Sequence, residues 1–182
     1  MKLTPSGSQT VGPFFRIGLQ HLCSKSATTI EDTKIVTVRG RVLDGDGVPV
    51  PDAVLEIWHA NAQGKYSGDF DESGRSVCFT RAATDDQGQF EFTIPKPGAV
   101  PFTREFTQTP HVAVLVFARG LLRHLLTRMY FPGNSGNADS VLRMVPEDRR
   151  ATLIARETAG DVHTYEWNVV LQGLDETVFF AW

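Results

Sequence analysis

The sequence predicts an all-β fold, a β-sandwich of mainly antiparallel strands, from three observations. Short segments in which apolar and polar residues alternate recur along the chain, and this period of two is typical of half-buried strands. Runs of Asp and Gly, DGDG at 44–47 and DDQG at 85–88, separate these segments and favour tight turns. Only one short segment has the pattern of a helix. The 182 residues are enough for a substantial core, so we expect a single domain over residues 1–182.

The chain begins with a segment, residues 1–34, that we expect to be an irregular, extended arm and linker. Proline and glycine interrupt every window in it that is long enough for a helix. These residues are Pro5, Gly7, Gly12 and Pro13. The first strand is predicted at residues 35–43, and after the DGDG turn residues 54–58 are predicted to return as its partner.

Five further strands follow from the same alternation and turn signals. They cover residues 89–94, 111–117, 122–131, 165–171 and 178–182. The segment 111–117 is apolar in both phases, which is typical of a central strand. The last segment, VFFAW, is an apolar end of the chain, and we interpret it as a docked strand that, like the arm, resembles a surface made for another chain. The one short helix is predicted at residues 147–156, where Pro146 precedes two acidic residues.

Composition argues against several classes of function. The net charge of −3 comes from 18 basic and 21 acidic residues without a basic stripe, so we expect no nucleic acid and no membrane as a partner. The first residues contain no apolar run, and we expect a cytoplasmic protein. Cys23 and Cys78 form no CxxC pair and are expected to be reduced, packed thiols. The motifs of P-loops, dinucleotide sites, serine hydrolases and zinc proteases do not occur.

One pattern of long spacing is more specific. Its members are Val38, Gly40, Val42, Gly47, Val50, Leu55, Glu56, Ile57, Gly64 and Tyr66. This pattern resembles the signature of the intradiol ring-cleavage dioxygenases, in which an acidic residue lies between apolar ones and a Gly-x-Tyr motif follows. Other motifs extend the resemblance over nearly the whole chain. They are SQTVGPF at 8–14, KPG at 96–98, TPH at 109–111, FARG at 117–120, TRMYF at 127–131 and ETVFF at 176–180.

The resemblance implies an iron pocket that has lost half of its ligands. Iron-binding chains of this family hold Fe³⁺ with two tyrosines and two histidines, and two of these positions match Tyr66 and His111. The other two read Val100 and Ala113, whose side chains offer no lone pair. Catalytic metal sites use three or more protein ligands. We therefore expect no metal and no catalytic residue in this chain, with Tyr66 and His111 as vestigial positions. Possible substitute ligands are His59, His124, Tyr130 and Tyr165.

The resemblance also assigns the arm to the site of a partner chain. In the family the QTxGP segment lines the substrate cavity of an iron-bearing partner, which here implies Thr10, Gly12 and Pro13. These residues would supply a hydroxyl, a close backbone approach and a fixed turn, respectively. Arg119 matches an arginine that adds positive charge near the cavity entrance, suited to a substrate carboxylate. Each assignment has an alternative. The arm would then only join two subunits, and Arg119 would only form a surface salt bridge. The remaining arginines, including Arg128, are interpreted as solvated or interface charges.

The resemblance therefore implies a subunit of an intradiol dioxygenase. An iron-bearing β subunit would hold Fe³⁺ and cleave protocatechuate (3,4-dihydroxybenzoate) with O₂ to 3-carboxy-cis,cis-muconate. This chain would shape the shared site and would be inactive alone. Two other interpretations stay open at this point: a non-catalytic β-sandwich binding module, and a homomeric dioxygenase for another catechol with unusual iron ligands.

Overall fold

Two β-sheets pack over a shared apolar core in the computed structural model, which describes residues 7–23, 33–68, 76–103, 106–133 and 139–181. The strands are β1 (Ile35–Leu43), β2 (Val54–His59), β3 (Phe79–Ala83), β4 (Gln89–Pro95), β5 (Val100–Pro101), β6 (Thr107–Gln108), β7 (His111–Phe117), β8 (Leu125–Tyr130), β9 (Arg156–Thr158), β10 (Asp161–Glu166) and β11 (Val169–Val170). The expected β-sandwich is confirmed.

The two sheets differ in strand direction. In the first, β1 pairs antiparallel with β4 and parallel with β10 and β11, and β9 flanks β10. In the second, β3, β2, β7 and β8 follow one another as antiparallel neighbours, so β7 is a central strand as predicted. The short pair β5 and β6 forms a separate ribbon.

The core lies between the inward faces of these sheets. Its buried members alternate along the strands, as expected for a period of two. They include Val36, Val38, Val42, Leu55, Ile57, Phe90, Phe92, Ile94, Val112, Val114 and Val116. Burial of this set from water is the main source of stability, at about 25 cal/mol for each Å² of apolar surface.

The predicted pairing of residues 54–58 with the first strand is wrong. The DGDG turn forms, because the Asp44 carboxylate accepts backbone hydrogen bonds from Asp46 and Val48 and Gly47 has a φ of +77°. After it the chain crosses to the other sheet, where β2 lies between β3 and β7. Alternation shows that a strand has one buried face, but it does not say which strand lies beside it.

The helical segments also differ from expectation. The arm contains an α-helix, α1 (Pro13–Leu19), followed by a 3₁₀ turn (Gln20–Leu22). Pro13 opens α1, because the first helical position needs no backbone N–H donor. The helix predicted at residues 147–156 is a 3₁₀-helix (Glu147–Leu153), preceded by another 3₁₀ turn (Leu142–Met144). Within the described residues, no helix has the length and apolar character needed to cross a membrane.

The apolar end of the chain packs on the chain itself. The backbone N–H of Phe180 donates to the Leu126 carbonyl oxygen over 2.8 Å, and the Thr127 hydroxyl donates to the Val178 carbonyl oxygen over 2.8 Å. Phe179 packs against the main core. The segment is therefore docked, as predicted, at residues 178–180, and the surface that it contacts here belongs to this chain. Residue 182 lies outside the described residues.

Candidate functional site

Two of the four expected ligand positions lie together. The Tyr66 hydroxyl is 3.5 Å from Nε2 of His111. The Nδ1 atom of His111 lies 2.8 Å from the Thr109 carbonyl oxygen, which accepts only, so Nδ1 carries the hydrogen and Nε2 accepts from Tyr66. Burial lowers the pKa of His111, and the nearby Arg128 charge lowers this pKa further, so the imidazole is neutral at pH 7.

Gly64 holds the Tyr66 loop against the loop that carries Val100. Its φ of +73° is a left-handed conformation that glycine adopts with little strain. A Cβ at this position would overlap the Ala99 carbonyl oxygen, so the two backbones can touch only because Gly64 has no side chain. This contact brings the first ligand position next to one of the missing ones.

The four positions define what we call the vestigial pocket. It comprises Tyr66, Val100, His111 and Ala113. Two aliphatic side chains offer no lone pair, and one phenol and one imidazole are fewer than the protein ligands of catalytic metal sites. Among the described residues, no three His, Cys, Asp or Glu side chains are grouped so that they could hold a metal ion. The residues present do not fit the ferric ion that the resemblance implies for iron-binding chains.

His59 does not substitute for a missing ligand. It pairs with Val112 in the second sheet, and Val112 follows His111 directly. Successive side chains of a strand point to opposite faces, so His59 faces away from the pocket side of the sheet. Its Nδ1 atom donates to the Ala60 carbonyl oxygen over 2.9 Å, and burial lowers its pKa.

The other substitutes differ in position. His124 lies against Phe117, with ring centroids 5.3 Å apart, at the far end of β7. Tyr165 is part of the main core. Tyr130 adjoins the vestigial pocket, because it is the strand partner of His111 and their ring centroids are 5.8 Å apart.

The Tyr130 hydroxyl stays protonated and donates a hydrogen bond. Its hydroxyl donates to Oδ1 of Asp139 over 3.3 Å, and burial raises the pKa of Tyr130 to about 12. Burial alone would raise the pKa of Asp139 as well, but backbone hydrogen bonds from Leu142, Thr109 and Val141 outweigh it and lower this pKa. A protonated phenol that is bound to a carboxylate does not supply the phenolate oxygen that a ferric ion requires.

Arg128 is the pocket residue that the sequence analysis missed. It was interpreted as a solvated or interface charge, but it lies in β8 opposite Ala113, and its Nη1 donates to Oε1 of Gln108 over 3.1 Å. Burial raises the pKa of Tyr66, and the Arg128 charge opposes that rise. The pairing of β7 with β8 is what identifies Arg128 as a pocket residue. Because Arg128 lies opposite Ala113 and side chains alternate along a strand, Arg128 lies on the same face as His111.

The N-terminal arm is attached to the loop that follows β7. The Gly120 backbone N–H donates to the Thr10 hydroxyl over 2.8 Å. Phe15 of α1 packs on Phe117, with ring centroids 5.2 Å apart. Gly12 is the N-cap of α1, and a Cβ there would meet no atom of this chain within 4 Å. The structure thus brings Thr10 to the loop that contains Arg119.

Arg119 makes the surface salt bridge that was the alternative interpretation. Its Nε lies 2.8 Å from Oδ2 of Asp52, with the Arg119 side chain 60% exposed and that of Asp52 12% exposed. A pair with one exposed partner contributes at most about 1 kcal/mol to stability. Oδ1 of Asp52 is buried and has no hydrogen-bond partner among the described residues, so this carboxylate is poorly satisfied.

The arm and the vestigial pocket lie at opposite ends of β7. His111 begins this strand, whereas Phe117 ends it and leads into Arg119 and Gly120. At about 3.3 Å per residue, the six steps from His111 to Phe117 span roughly 20 Å. Thr10 therefore does not line the pocket of its own chain.

One cavity lies away from the vestigial pocket. It measures about 920 Å³ and is bordered by the arm and by the edges of both sheets, with Arg16, Gln20, Arg41 and Arg81 among its lining residues. None of the predicted site residues lines it. We therefore do not place the substrate site there.

Comparisons with known proteins agree with the resemblance. A family model described as "Dioxygenase" matches residues 13–173. The protocatechuate 3,4-dioxygenase alpha chain of Burkholderia cepacia is 38% identical over 99% of this chain and 98% of its own length. The alpha chain of Pseudomonas putida is 34% identical, over 98% and 96%. The beta chain of Burkholderia cepacia is 32% identical, over 94% and 77%.

Solved structures support the fold. An intradiol ring-cleavage dioxygenase from Tetranychus urticae matches with a TM-score of 0.67 at 15% identity, covering 86% of this chain and 89% of that one. The dioxygenase domain of a carbohydrate-binding fusion protein from Streptomyces sp. SirexAA-E matches with a TM-score of 0.62 at 24% identity, covering 83% and 88%. By its sequence relatives and the family model, this chain belongs to the intradiol ring-cleavage dioxygenases.

Proposed function

We propose that this chain is the α subunit of a protocatechuate 3,4-dioxygenase and that it works only together with an iron-bearing β subunit. The main observation in support of this proposal is that the arm and the vestigial pocket lie at opposite ends of β7. Thr10 is attached beyond the end of β7, a strand that spans roughly 20 Å from His111 to Phe117, so it can line a substrate cavity only if that cavity belongs to another chain. Relatives of both the α and the β type are consistent with such a pair.

The chemistry of the vestigial pocket supports the same division of labour. Val100 and Ala113 supply no ligand, and Tyr130 is kept protonated beside Asp139. In the proposal the β subunit holds Fe³⁺, which supplies the activation of the catechol ring for O₂. The present chain contributes groups that bind, orient and enclose the substrate.

The arm has the surface that a partner would need. Phe14 is 80% exposed and Ile17 is 56% exposed, and α1 contains no buried residue. Apolar side chains on a short helix gain stability when another surface covers them. We infer that the β subunit covers this face of α1 and thereby holds Thr10 at the edge of its cavity.

Each arm residue then has a physical role. The Thr10 hydroxyl accepts from the Gly120 N–H and donates to the Val11 carbonyl oxygen over 3.4 Å, which leaves one lone pair for the substrate or a water molecule. Gly12 presents bare backbone to the partner, and Pro13 sets the start of α1. Arg119 is exposed enough to bring positive charge to the carboxylate of protocatechuate, in competition with Asp52.

Co-expression tests the proposal. We expect the purified full chain alone to cleave no catechol and to contain little iron, and we expect activity on 3,4-dihydroxybenzoate when an iron-bearing β subunit is co-purified with it. Oxygen uptake and formation of 3-carboxy-cis,cis-muconate are the readouts, with metal content by mass spectrometry. Stoichiometric iron and ring cleavage by the chain alone would contradict the proposal and favour a homomeric enzyme.

A matched pair of arm variants tests the contact with the partner. Phe14→Ser should weaken co-purification with the β subunit, whereas Leu174→Ser, at a residue that is 99% exposed far along the sequence, should leave it intact. A cytoplasmic location belongs to the same proposal, and cell fractionation tests it.

A further inference from the structure

Arg128 is linked to both positions where the vestigial pocket lacks a ligand, directly to one and through a second residue to the other. Its Cα is the cross-strand partner of Ala113. Its guanidinium donates to Gln108, and Gln108 is the cross-strand partner of Val100. One side chain therefore connects the two positions that carry aliphatic residues.

The same guanidinium lies among the polar groups that are left in the pocket. Its charge acts on Tyr66, His111 and Tyr130. The Tyr66 hydroxyl donates to Nε2 of His111 over 3.5 Å, and the phenol oxygen keeps a lone pair that favours a nearby positive charge. An arginine stays protonated at every accessible pH, so this positive charge is permanent.

We propose that the Arg128 guanidinium is the built-in cation of the vestigial pocket and that it excludes metal from this chain independently of the two missing ligands. A metal ion at the pocket would lie close to a fixed like charge in a partly desolvated site, where repulsion is strong. Restoring a tyrosine and a histidine would then not suffice to restore metal binding. Arg128 is in this view a specificity-determining residue that decides against metal, and it takes no part in a reaction step.

The inference deepens the proposed function, because it explains why iron would be confined to the partner. Its test needs no partner chain. Activity with the β subunit decides the proposed function, whereas metal content of the full chain alone decides the role of Arg128, so the two can fail separately.

Four variants of the full chain form the main experiment. The first is the double variant Val100→Tyr with Ala113→His, which restores the missing ligand atoms. Each of the other three carries this double substitution and one more: Arg128→Gln, Arg128→Lys or the control Arg123→Gln. Arg123 is an exposed arginine in the loop before β8, so it controls for the loss of one positive charge from the chain. Each protein is loaded with ferrous iron in air, desalted, and assayed for iron and for the visible charge-transfer band of a ferric phenolate.

We expect the Arg128→Gln variant to retain at least ten times more iron than the other three and to show the band. Arg128→Lys keeps the charge and should stay nearly free of iron. Equal iron in all four proteins overturns the proposal, and so does a Lys variant that loads as well as the Gln variant. A Gln variant that is folded by circular dichroism and yet holds no iron overturns it as well.

A second measurement avoids the new ligands, in case the substituted chains do not fold. Arg128→Gln alone leaves Tyr66 and His111 as a two-ligand site, and calorimetric titration with Zn²⁺ should reveal a weak site that the parent chain lacks. The site should disappear when His111→Ala is added. Identical titrations of the parent and the Arg128→Gln variant contradict the proposal.

Discussion

The backbone N–H of Gly120 donates a 2.8 Å hydrogen bond to the hydroxyl of Thr10, and this bond ties the N-terminal arm to the loop after β7. Gly120 has a φ of +88°, a left-handed conformation that glycine adopts with little strain. Thr10 is itself exposed, so its hydroxyl is held in place without being buried. The relationship gives the arm a defined position relative to Arg119 before any partner binds.

Thr10→Ala should reduce kcat/KM of the assembled enzyme for 3,4-dihydroxybenzoate by roughly tenfold, which corresponds to about 1.4 kcal/mol. The alanine removes the acceptor for Gly120 and the hydroxyl that we propose lies at the cavity of the partner. Thr10→Ser keeps the hydroxyl and should stay within about twofold of the parent. Steady-state kinetics with iron content as a control measure the effect. If the kinetics of the Thr10→Ala variant are unchanged, the arm only joins the two subunits and does not contribute to substrate binding.

Arg119→Ala should raise KM for 3,4-dihydroxybenzoate by about tenfold, because a charge-assisted hydrogen bond to the substrate carboxylate contributes about 1.5 kcal/mol. Catechol has no carboxylate, so its turnover should change much less. Asp52→Asn removes the competing partner and should lower KM or leave it unchanged. Arg123→Ala serves as the matched control. If Arg119→Ala and Asp52→Asn weaken the enzyme equally, the ion pair itself is what matters.

Asp139→Asn should destabilise the chain by about 3 kcal/mol at pH 7, since a buried carboxylate that accepts several backbone hydrogen bonds is lost. The pKa of Asp139 is lower in the folded chain than its ordinary value of 3.8. Its ionisation therefore contributes stability that is fully present above pH 3.8 and is lost as the pH falls toward the folded value.

Urea unfolding of the parent and the Asp139→Asn variant at several pH values measures this effect. The difference between them should be largest near neutral pH and should shrink as the pH falls below about 4. A difference that is independent of pH would mean that Asp139 acts through packing alone.

Gly64→Ala should destabilise the chain by about 3 kcal/mol or more, because the new Cβ would overlap the Ala99 carbonyl oxygen in addition to the strain of a positive φ. Gly47→Ala is the matched control, because Gly47 also has a positive φ but a Cβ there meets nothing within 4 Å. Gly47→Ala should lower the free energy of unfolding by only about 1 kcal/mol. Equal losses in thermal unfolding for the two variants would contradict the close contact of the two loops.

Much of the fold could be predicted because it depends on local patterns. The alternation at Phe90, Phe92 and Ile94 is buried as expected, and β7 and β8 form within the predicted segments 111–117 and 122–131. The parallel pairing of β1 with β10 was not predictable from these patterns, because it joins residues that are far apart in sequence. The helix in the arm was missed because Pro13 was interpreted as a breaker, although proline is favourable at the first position of a helix.

The candidate site divides in the same way. The types of Tyr66, Val100, His111 and Ala113 were sufficient to predict a pocket without its full ligand set. Arg128 could be recognised only in the folded chain, since its importance depends on which strand lies beside Ala113.

The sequence by itself determined the family and the strand content, and its resemblance to the family implied the loss of two metal ligands, because each of these depends on residue type at a given position. Only the tertiary structure decided that Thr10 is held by Gly120 far from its own pocket and that the Arg128 charge lies among the remaining polar groups. It also decided that the Phe180 backbone N–H donates to the Leu126 carbonyl oxygen of the same chain. The physical reason is that hydrogen bonds and charges act over a few ångströms in space, and the neighbours within that range are set by strand pairing across long stretches of sequence.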